Sequence, residues 1–231
     1  LPMAYTGKDV LIGVTDWGFD YTHPNFYDTT YKYLRIYKAW DHFKLSGPAP
    51  EGFDYGTEYR TPEQLKNAQC DTSGLYDYGT HGTHVAGIVG GITNNGKFGA
   101  GIAGGNGTEP GVKLMTCQTI DGKSPAYIAT AFVYAADNGA VIAQNSWSIQ
   151  NEDTYVIDAI NYFKRNAGID KDGKQISPMK GGVVIFAAGN ENVSVGHPAS
   201  YDGVIAVSAI GPSGAKASYS NYGDWVDIAA P

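Results

Sequence analysis

The sequence is short of charge. Of 231 residues, Asp, Glu, Lys and Arg make up 17%, against a usual ~25%. Cations are the scarcer sign, 16 Lys and Arg against 23 Asp and Glu, which leaves a net charge of −7. That deficit excludes the basic face a nucleic-acid binder needs. No run of ~18 consecutive apolar residues occurs, so nothing reads as a membrane-spanning helix. There are only two cysteines, Cys70 and Cys117, enough for one disulfide at most and too few to fix a compartment. The opening LPMAYTGKDV has neither the basic nor the apolar segment of a signal peptide. Low charge does not mean disorder here, because 42% of residues are hydrophobic and 13% aromatic.

Glycine is abundant: 31 residues, about 13% of the chain, nearly twice the usual ~7%. The glycines show no three-residue period, which excludes collagen. The length suits one domain with a substantial core. Six short runs rich in β-branched residues read as strands: Val10–Val14, Val112–Cys117, Ala140–Ala143, Val183–Ala187, Val204–Val207 and Trp225–Ala229. Their apolarity is continuous rather than alternating, as in strands of a parallel sheet buried on both faces. Between them, Thr83–Gly91, Pro125–Asn138 and Thr154–Ala167 have helical spacing; in the first, Val85, Ile88 and Val89 share one side. The alternation predicts an α/β domain with right-handed crossovers. Residues Thr29–Tyr78 break the rhythm and read as a Tyr-rich surface excursion with one strand near Tyr33–Trp40. Lys171–Lys180 reads as a polar loop.

In open α/β sheets, chemistry gathers at the carboxyl ends of strands. Three such ends stand out. Asp16 follows the first strand and precedes Trp17-Gly18, and it reads either as a rigidly held carboxylate or as a turn residue. His81 opens a helix in Gly79-Thr-His-Gly-Thr-His-Val-Ala-Gly87, among small residues that leave room for substrate or backbone. The His81/His84 pair lacks the Glu and the spacing of a zinc-binding HExxH. Asn190 ends Ala187-Ala-Gly-Asn190 after a very apolar run. It offers either an amide donor to a developing oxyanion or a residue tolerant of a left-handed turn. An acid, an imidazole and an amide donor on three junctions of one sheet are the parts of an acyl-transfer site.

These residues resemble the subtilisin-like serine proteases (subtilases, peptidase S8 type). The likeness rests on Val14-Thr-Asp-Trp-Gly-Phe-Asp20 with His23-Pro24, on His81-Gly-Thr-His-Val-Ala-Gly87, and on Ala188-Gly-Asn190. It continues through Asn145-Ser-Trp-Ser148, His197-Pro198, and Ala217–Gly223 into Val226–Pro231. The resemblance implies a three-layer α/β fold with a mostly parallel central sheet and helices on both faces. It implies Asp16 and His81 as members of a Ser-His-Asp triad and Asn190 as the oxyanion donor. Ser146, Trp147, Ser148, Ala188 and Gly189 become substrate-binding positions, and His197-Pro198 falls where the family often has a cis bond. A polypeptide substrate, a removed inhibitory pro-segment and an extracellular or periplasmic location follow from the resemblance as well. The chemistry implies no cofactor. A structural calcium is compatible, although Asn25 stands where many members have a liganding Asp. Asn94-Asn-Gly96 reads equally as an oxygen-ligand loop or a plain turn.

The family's nucleophile motif, Gly-Thr-Ser-Met-Ala or similar, is absent. Ser73, Ser213, Ser218 and Ser220 all lack its context. The expectation is a single, incomplete catalytic domain with an insertion at about 29–78. Its serine would come from sequence beyond residue 231 or from a second chain, and the 231 residues alone would be inactive. Trp147 and the 187–189 edge suggest a pocket for a large apolar side chain. Two rivals stand beside this reading. One is a subtilase fold that binds peptides or partners without cleaving them. The other is a dinucleotide-binding enzyme, from Gly99-Ala-Gly-Ile-Ala-Gly104 with Asp121, but that motif lacks a strand before it and a helix after it.

Overall fold

The computed structural model describes residues 5–68, 80–119, 124–170 and 172–231. The chain divides into two compact units, Leu1–Lys123 with Ile176–Pro178, and Ser124–Gln175 with Met179–Pro231.

In the first unit, β1 (Leu11–Asp16) is buried along its whole length. It pairs in parallel with β4 (Lys113–Gln118), Leu11 opposite Lys113 and Asp16 opposite Gln118. On its other edge β4 pairs in parallel with β2 (Ile36–Asp41), and β3 (Thr57–Tyr59) adds an antiparallel edge to β2. The strand expected near Tyr33–Trp40 is β2, but the expectation that its stretch is a surface excursion is corrected over the described residues 29–68. β2 is an interior strand, with Trp40 fully buried among Phe53, Tyr55 and His42. Lys38 and Tyr37 break its apolar pattern in sequence, so it does not read as a core strand. A short helix, α1 (Pro62–Asn67), follows β3, its first turn closed by a Thr61/Gln64 capping box. Arg35, also buried, ties the start of β4 to the loop before it through the Val112 and Gly104 carbonyls.

The helix α2 (His81–Gly90) packs on β1 and β4. Its inward face is Gly82, Thr83, Ala86 and Gly90, rather than the expected stripe, and Ile88 is 55% exposed. The reason is distance. A Cβ at Gly90 would lie 3.1 Å from Val112 and 3.3 Å from Leu114, so only small residues allow this approach. Gly101 and Gly104 are likewise packing glycines. A Cβ at Gly101 would meet the Gly91 nitrogen at 2.4 Å, and one at Gly104 would meet the Gly91 carbonyl oxygen at 2.1 Å. The chain at 101–103 runs against the end of α2, with no strand before it and no helix after it, unlike a dinucleotide fingerprint. Asp121 lies outside the described residues.

In the second unit, β5 (Ile142–Asn145), β6 (Val183–Ala187), β7 (Ile205–Ala209) and β8 (Ile228–Ala230) pair in parallel in chain order. The helices α3 (Pro125–Asp137) and α4 (Thr154–Asn166) pack on each other. Ser124 and Asp153 cap them, each accepting from first-turn N–H groups. Phe132, Phe163, Phe186 and Trp147 form the aromatic centre of this unit. On β6 the side chains alternate, Val184 and Phe186 buried, Val183, Ile185 and Ala187 half-buried. Ile205 and Ile228 on the neighbouring strands are exposed. β8 starts later than the sequence suggests, because a Gly223–Val226 turn precedes it and the Asp227 carboxylate binds the Ala206 N–H.

Candidate active site

Asp16 is the last residue of β1 and is wholly buried. One carboxylate oxygen, Oδ1, accepts from the Trp17 N–H at 2.7 Å and pairs with His81 Nδ1 at 2.6 Å. His81 is the first residue of α2. The first N–H groups of any helix lack partners within it. Here Gly82 N–H donates to the Trp17 carbonyl and Thr83 N–H to the Gly18 carbonyl. The Thr83 hydroxyl donates to the Gly18 carbonyl and accepts from Asp20 N–H, a second tie. The start of the helix is thereby bolted to the end of the strand, and the imidazole meets the carboxylate without freedom to wander. Gly82 is required, since a Cβ there would stand 2.7 Å from the Trp17 carbonyl oxygen and 2.8 Å from the Phe19 ring.

The Trp17 indole stacks on the imidazole, ring centres 4.2 Å apart and planes within 6°. His81 keeps 40% of its side-chain surface exposed, against none for Asp16. With Nδ1 taken by Asp16, Nε2 has no partner among the described residues and is the nitrogen open to an incoming group. The bond to Asp16 raises the His81 pKa above the ordinary imidazole value, partly opposed by burial. Burial raises the Asp16 pKa, partly opposed by the bonds from His81 and Trp17. The pair is a carboxylate made costly by burial and held against an imidazole that it makes more basic.

Asn190 belongs to the second unit, two residues past Ala188 at the carboxyl end of β6. It is exposed, and its side-chain amide makes no hydrogen bond among the described residues. Gly189, with φ +108°, turns the chain just before it. Ala188 is buried and donates its N–H to Val207. Ser146 is half-buried, accepting from the Gln144 amide at 2.7 Å, and Ser148 is exposed. The β5–β6 ladder ends at the Asn145/Phe186 pair, and the chain regains pairing only at the Ile149–His197 bridge. The His197-Pro198 bond is cis. Trp147 is 5% exposed, its ring against Phe186 and Phe132. This corrects the idea of its side chain as an accessible pocket wall, because the indole is part of the core and only its main chain can meet a peptide. Sequence reasoning gave no role to Asn221, which the structure places under the 188–195 turn.

Of the candidate serines, the buried Ser220 hydroxyl accepts from Ala209 N–H and donates to the Asn221 carbonyl, Ser213 lies in a turn, and Ser73 is outside the described residues. Among the described residues, no group of three or more His, Cys, Asp or Glu side chains is arranged to hold a metal. The Asn94-Asn95-Gly96 loop does not offer a calcium ion the carboxylates it favours. Asn95 donates to the Pro24 and Tyr27 carbonyls and accepts from Lys97 N–H, while the neutral Asn25 oxygen Oδ1 is buried without a partner.

The family model for the subtilase family, Peptidase S8, matches residues 7–231. The chain belongs to the subtilase family. A thermophilic serine proteinase of Bacillus sp. (strain AK1) is 34% identical over 224 residues, covering 95% of this chain and 43% of the relative. An extracellular protease of Xanthomonas campestris pv. campestris is 38% identical over 156 residues, covering 65% of this chain and 25% of the relative. The chain thus spans less than half the length of either relative. Among solved structures, proteases from Pseudoalteromonas arctica PAMC 21717 match with a TM-score of 0.69 and 26% identity, over 100% of this chain and 66% of theirs. The fold is the subtilisin-like α/β fold. Among the described residues no helix is long and apolar enough to cross a membrane.

Proposed function

We propose that the protein is a serine endopeptidase cleaving peptide bonds of proteins, with Asp16 and His81 as two members of a Ser-His-Asp triad. The observation that carries this is the 2.6 Å bond between a buried carboxylate and an imidazole whose other nitrogen has no partner among the described residues. In the proposed reaction, His81 Nε2 takes the proton of a serine hydroxyl as its oxygen attacks the substrate carbonyl. The resulting imidazolium is stabilised by Asp16 and gives that proton to the departing amine. Water then enters by the same route and frees the acyl group. The Asn190 amide donates to the oxygen that becomes negative in the tetrahedral intermediate, a contribution of about 3–4 kcal/mol in comparable sites. Ser146, Trp147 and Ser148 offer main chain to an extended peptide, with Ala188 and Gly189 on the facing edge.

The nucleophilic serine is proposed to lie outside these 231 residues, on a segment that covers the open apolar face around Val183, Ile185 and Ile205. A parallel sheet is ordinarily covered on both faces, which supports this placement. The family match runs through both units, which supports one catalytic domain; an insertion at about 29–78 is proposed from the long span between Asp16 and His81. Secretion and a removed inhibitory pro-segment complete the proposal, the former supported by relatives named as extracellular.

The test uses the intact protein, a fluorophosphonate probe and casein. The expected result is one labelled serine and casein cleavage, both abolished by His81→Ala. Tight binding of casein peptides with neither labelling nor cleavage would sink the protease reading and leave a peptide-binding module.

A further inference from the structure

Among the described residues Asn190 makes no hydrogen bond through its side chain, so its direction is set by the turn that carries it. The turn that carries it, 188–195, is exposed along most of its length. Beneath it lies Asn221, 2% exposed, which reaches the turn from some thirty residues downstream. Its Oδ1 accepts from Glu191 N–H at 3.0 Å and Val193 N–H at 3.2 Å. Its Nδ2 lies 3.0 Å from the Ala188 carbonyl, 2.8 Å from Glu191 Oε2 and 3.3 Å from the Val195 carbonyl. Its own N–H donates to the Gly189 carbonyl. Glu191 Oε2 also accepts from Asn190 N–H at 2.9 Å. The side-chain amide therefore fixes Ala188 and Glu191 on either side of the Gly189-Asn190 pair and, through the Glu191 carboxylate, Asn190's own N–H, while the Asn221 main chain holds Gly189. Gly189 is part of the fit, because a Cβ there would lie 2.3 Å from Asn221 Nδ2.

We propose that Asn221 is a positioning residue whose buried amide shapes the 188–195 turn and so aims the Asn190 side chain at the oxyanion. The inference rests on the protease reading above for what Asn190 does, but not for how the turn is held. The chemistry singles out a primary amide. Only a group with two acceptor lone pairs and two N–H donors can serve both the N–H and the carbonyl groups of this turn. An Asp at 221 would keep the acceptors but lose both donors, and its charge would face Glu191. Pairing of the turn with 219–222, through Asn192 N–H to the Tyr219 carbonyl and Tyr222 N–H to the Val193 carbonyl, keeps the turn attached when the amide is removed.

The test is a double-mutant cycle on the intact protein, with Asn190→Ala, Asn221→Ala and the pair, and Asn221→Asp as a shape-preserving second variant. Asn190→Ala is expected to lower kcat by about 10²–10³-fold. Asn221→Ala should lower kcat by ~10-fold or more with KM within ~2-fold, and the double variant should match Asn190→Ala alone. Additive losses, or a kcat unchanged in both Asn221 variants, overturn the proposal. Amide exchange reads the positioning without any activity. Glu191 and Val193 N–H groups, protected in the wild type, should exchange ~10-fold faster or more in Asn221→Ala, which removes their acceptor, while core amides of β6 stay protected. Unchanged protection overturns the proposal. An inactive wild type with the expected exchange would instead count against the protease reading alone.

Discussion

Replacing Asp16 by Asn isolates the charge behind His81. The Asn side-chain oxygen can still accept from both His81 Nδ1 and Trp17 N–H, as Oδ1 does now at 2.6 and 2.7 Å. Its NH₂ would then occupy the place of Oδ2, which is buried without a partner. What disappears is the attraction for the imidazolium. At a separation of 2.6 Å and an effective dielectric constant of ~20, that attraction is about 6 kcal/mol. At ~1.36 kcal/mol per decade this is on the order of 10⁴-fold in kcat. If the amide turns the other way, its NH₂ faces Nδ1 and forces the proton onto Nε2. That also removes the base and gives a loss of ~10⁴-fold. Stability should move in the opposite direction. Burial raises the Asp16 pKa, so its ionised form costs the native state free energy, and the amide removes that cost. Both Asp16 and His81 have raised native values, from 3.8 and 6.5. Each contributes stability that is complete below its unfolded value and lost as pH rises through the native one. The wild type should therefore lose stability relative to Asp16→Asn as pH climbs from the unfolded Asp value through the raised native values of both groups. The assay is kcat on a chromogenic peptide across this range, beside melting temperatures of both proteins. The acid limb of the profile should move to lower pH in the variant, because a neutral amide raises His81 less than the charged acceptor it replaces. A kcat loss under ~10-fold, an acid limb that stays in place, or a melting temperature that falls enough to explain the inactivity would refute the reasoning.

The other expectations concern packing around the same pair and the thiol behind it. Gly82→Ala should cost about 1–3 kcal/mol, because its Cβ meets a carbonyl and an aromatic ring that cannot both retreat; chemical denaturation measures it, and a loss below ~0.5 kcal/mol would contradict the close approach of strand and helix. Cys117 is wholly buried, and its thiol pKa is pushed far up, chiefly by burial and further by Glu58. In a Cys70→Ser background it should therefore resist iodoacetamide at pH 8 for as long as the protein stays folded, and react within minutes in denaturant. Rapid labelling of the native protein, read by mass spectrometry, would show that this strand is not buried.

Much of the candidate site is legible in the sequence because it is local. The Asp-Trp-Gly turn after β1 and the His-Gly-Thr-His start of α2 are contiguous strings, and each is shaped by backbone requirements that particular residue types meet. The helices α3 and α4 are legible for the same reason: their caps at Ser124 and Asp153 and their apolar spacing lie within one segment. β2 is legible as a strand near Tyr33–Trp40 but not as an interior one, because its burial depends on β4 and on an aromatic cluster drawn from residues 40–55. The inward face of α2 is misread for a related reason. Hydrophobicity points to Val85, Ile88 and Val89, but proximity to β1 and β4 selects Gly82, Ala86 and Gly90. Trp147 looks like a surface recognition residue beside two serines, yet the aromatic centre of its unit claims it.

The sequence by itself determined the family, the α/β class and which acid, which imidazole and which amide to watch. Those follow from local backbone chemistry, from order along the chain and from the scarcity of charge that sets this chain apart from nucleic-acid binders. Only the tertiary structure decided that Asp16 and His81, sixty-five residues apart, meet at 2.6 Å under a stacked indole. It also decided that the buried Asn221 amide reaches the backbone of the turn bearing Asn190. Both are long-range hydrogen bonds between groups that could each be satisfied locally or by water. Which partner wins depends on what else is buried around them, and that is a property of the folded chain as a whole.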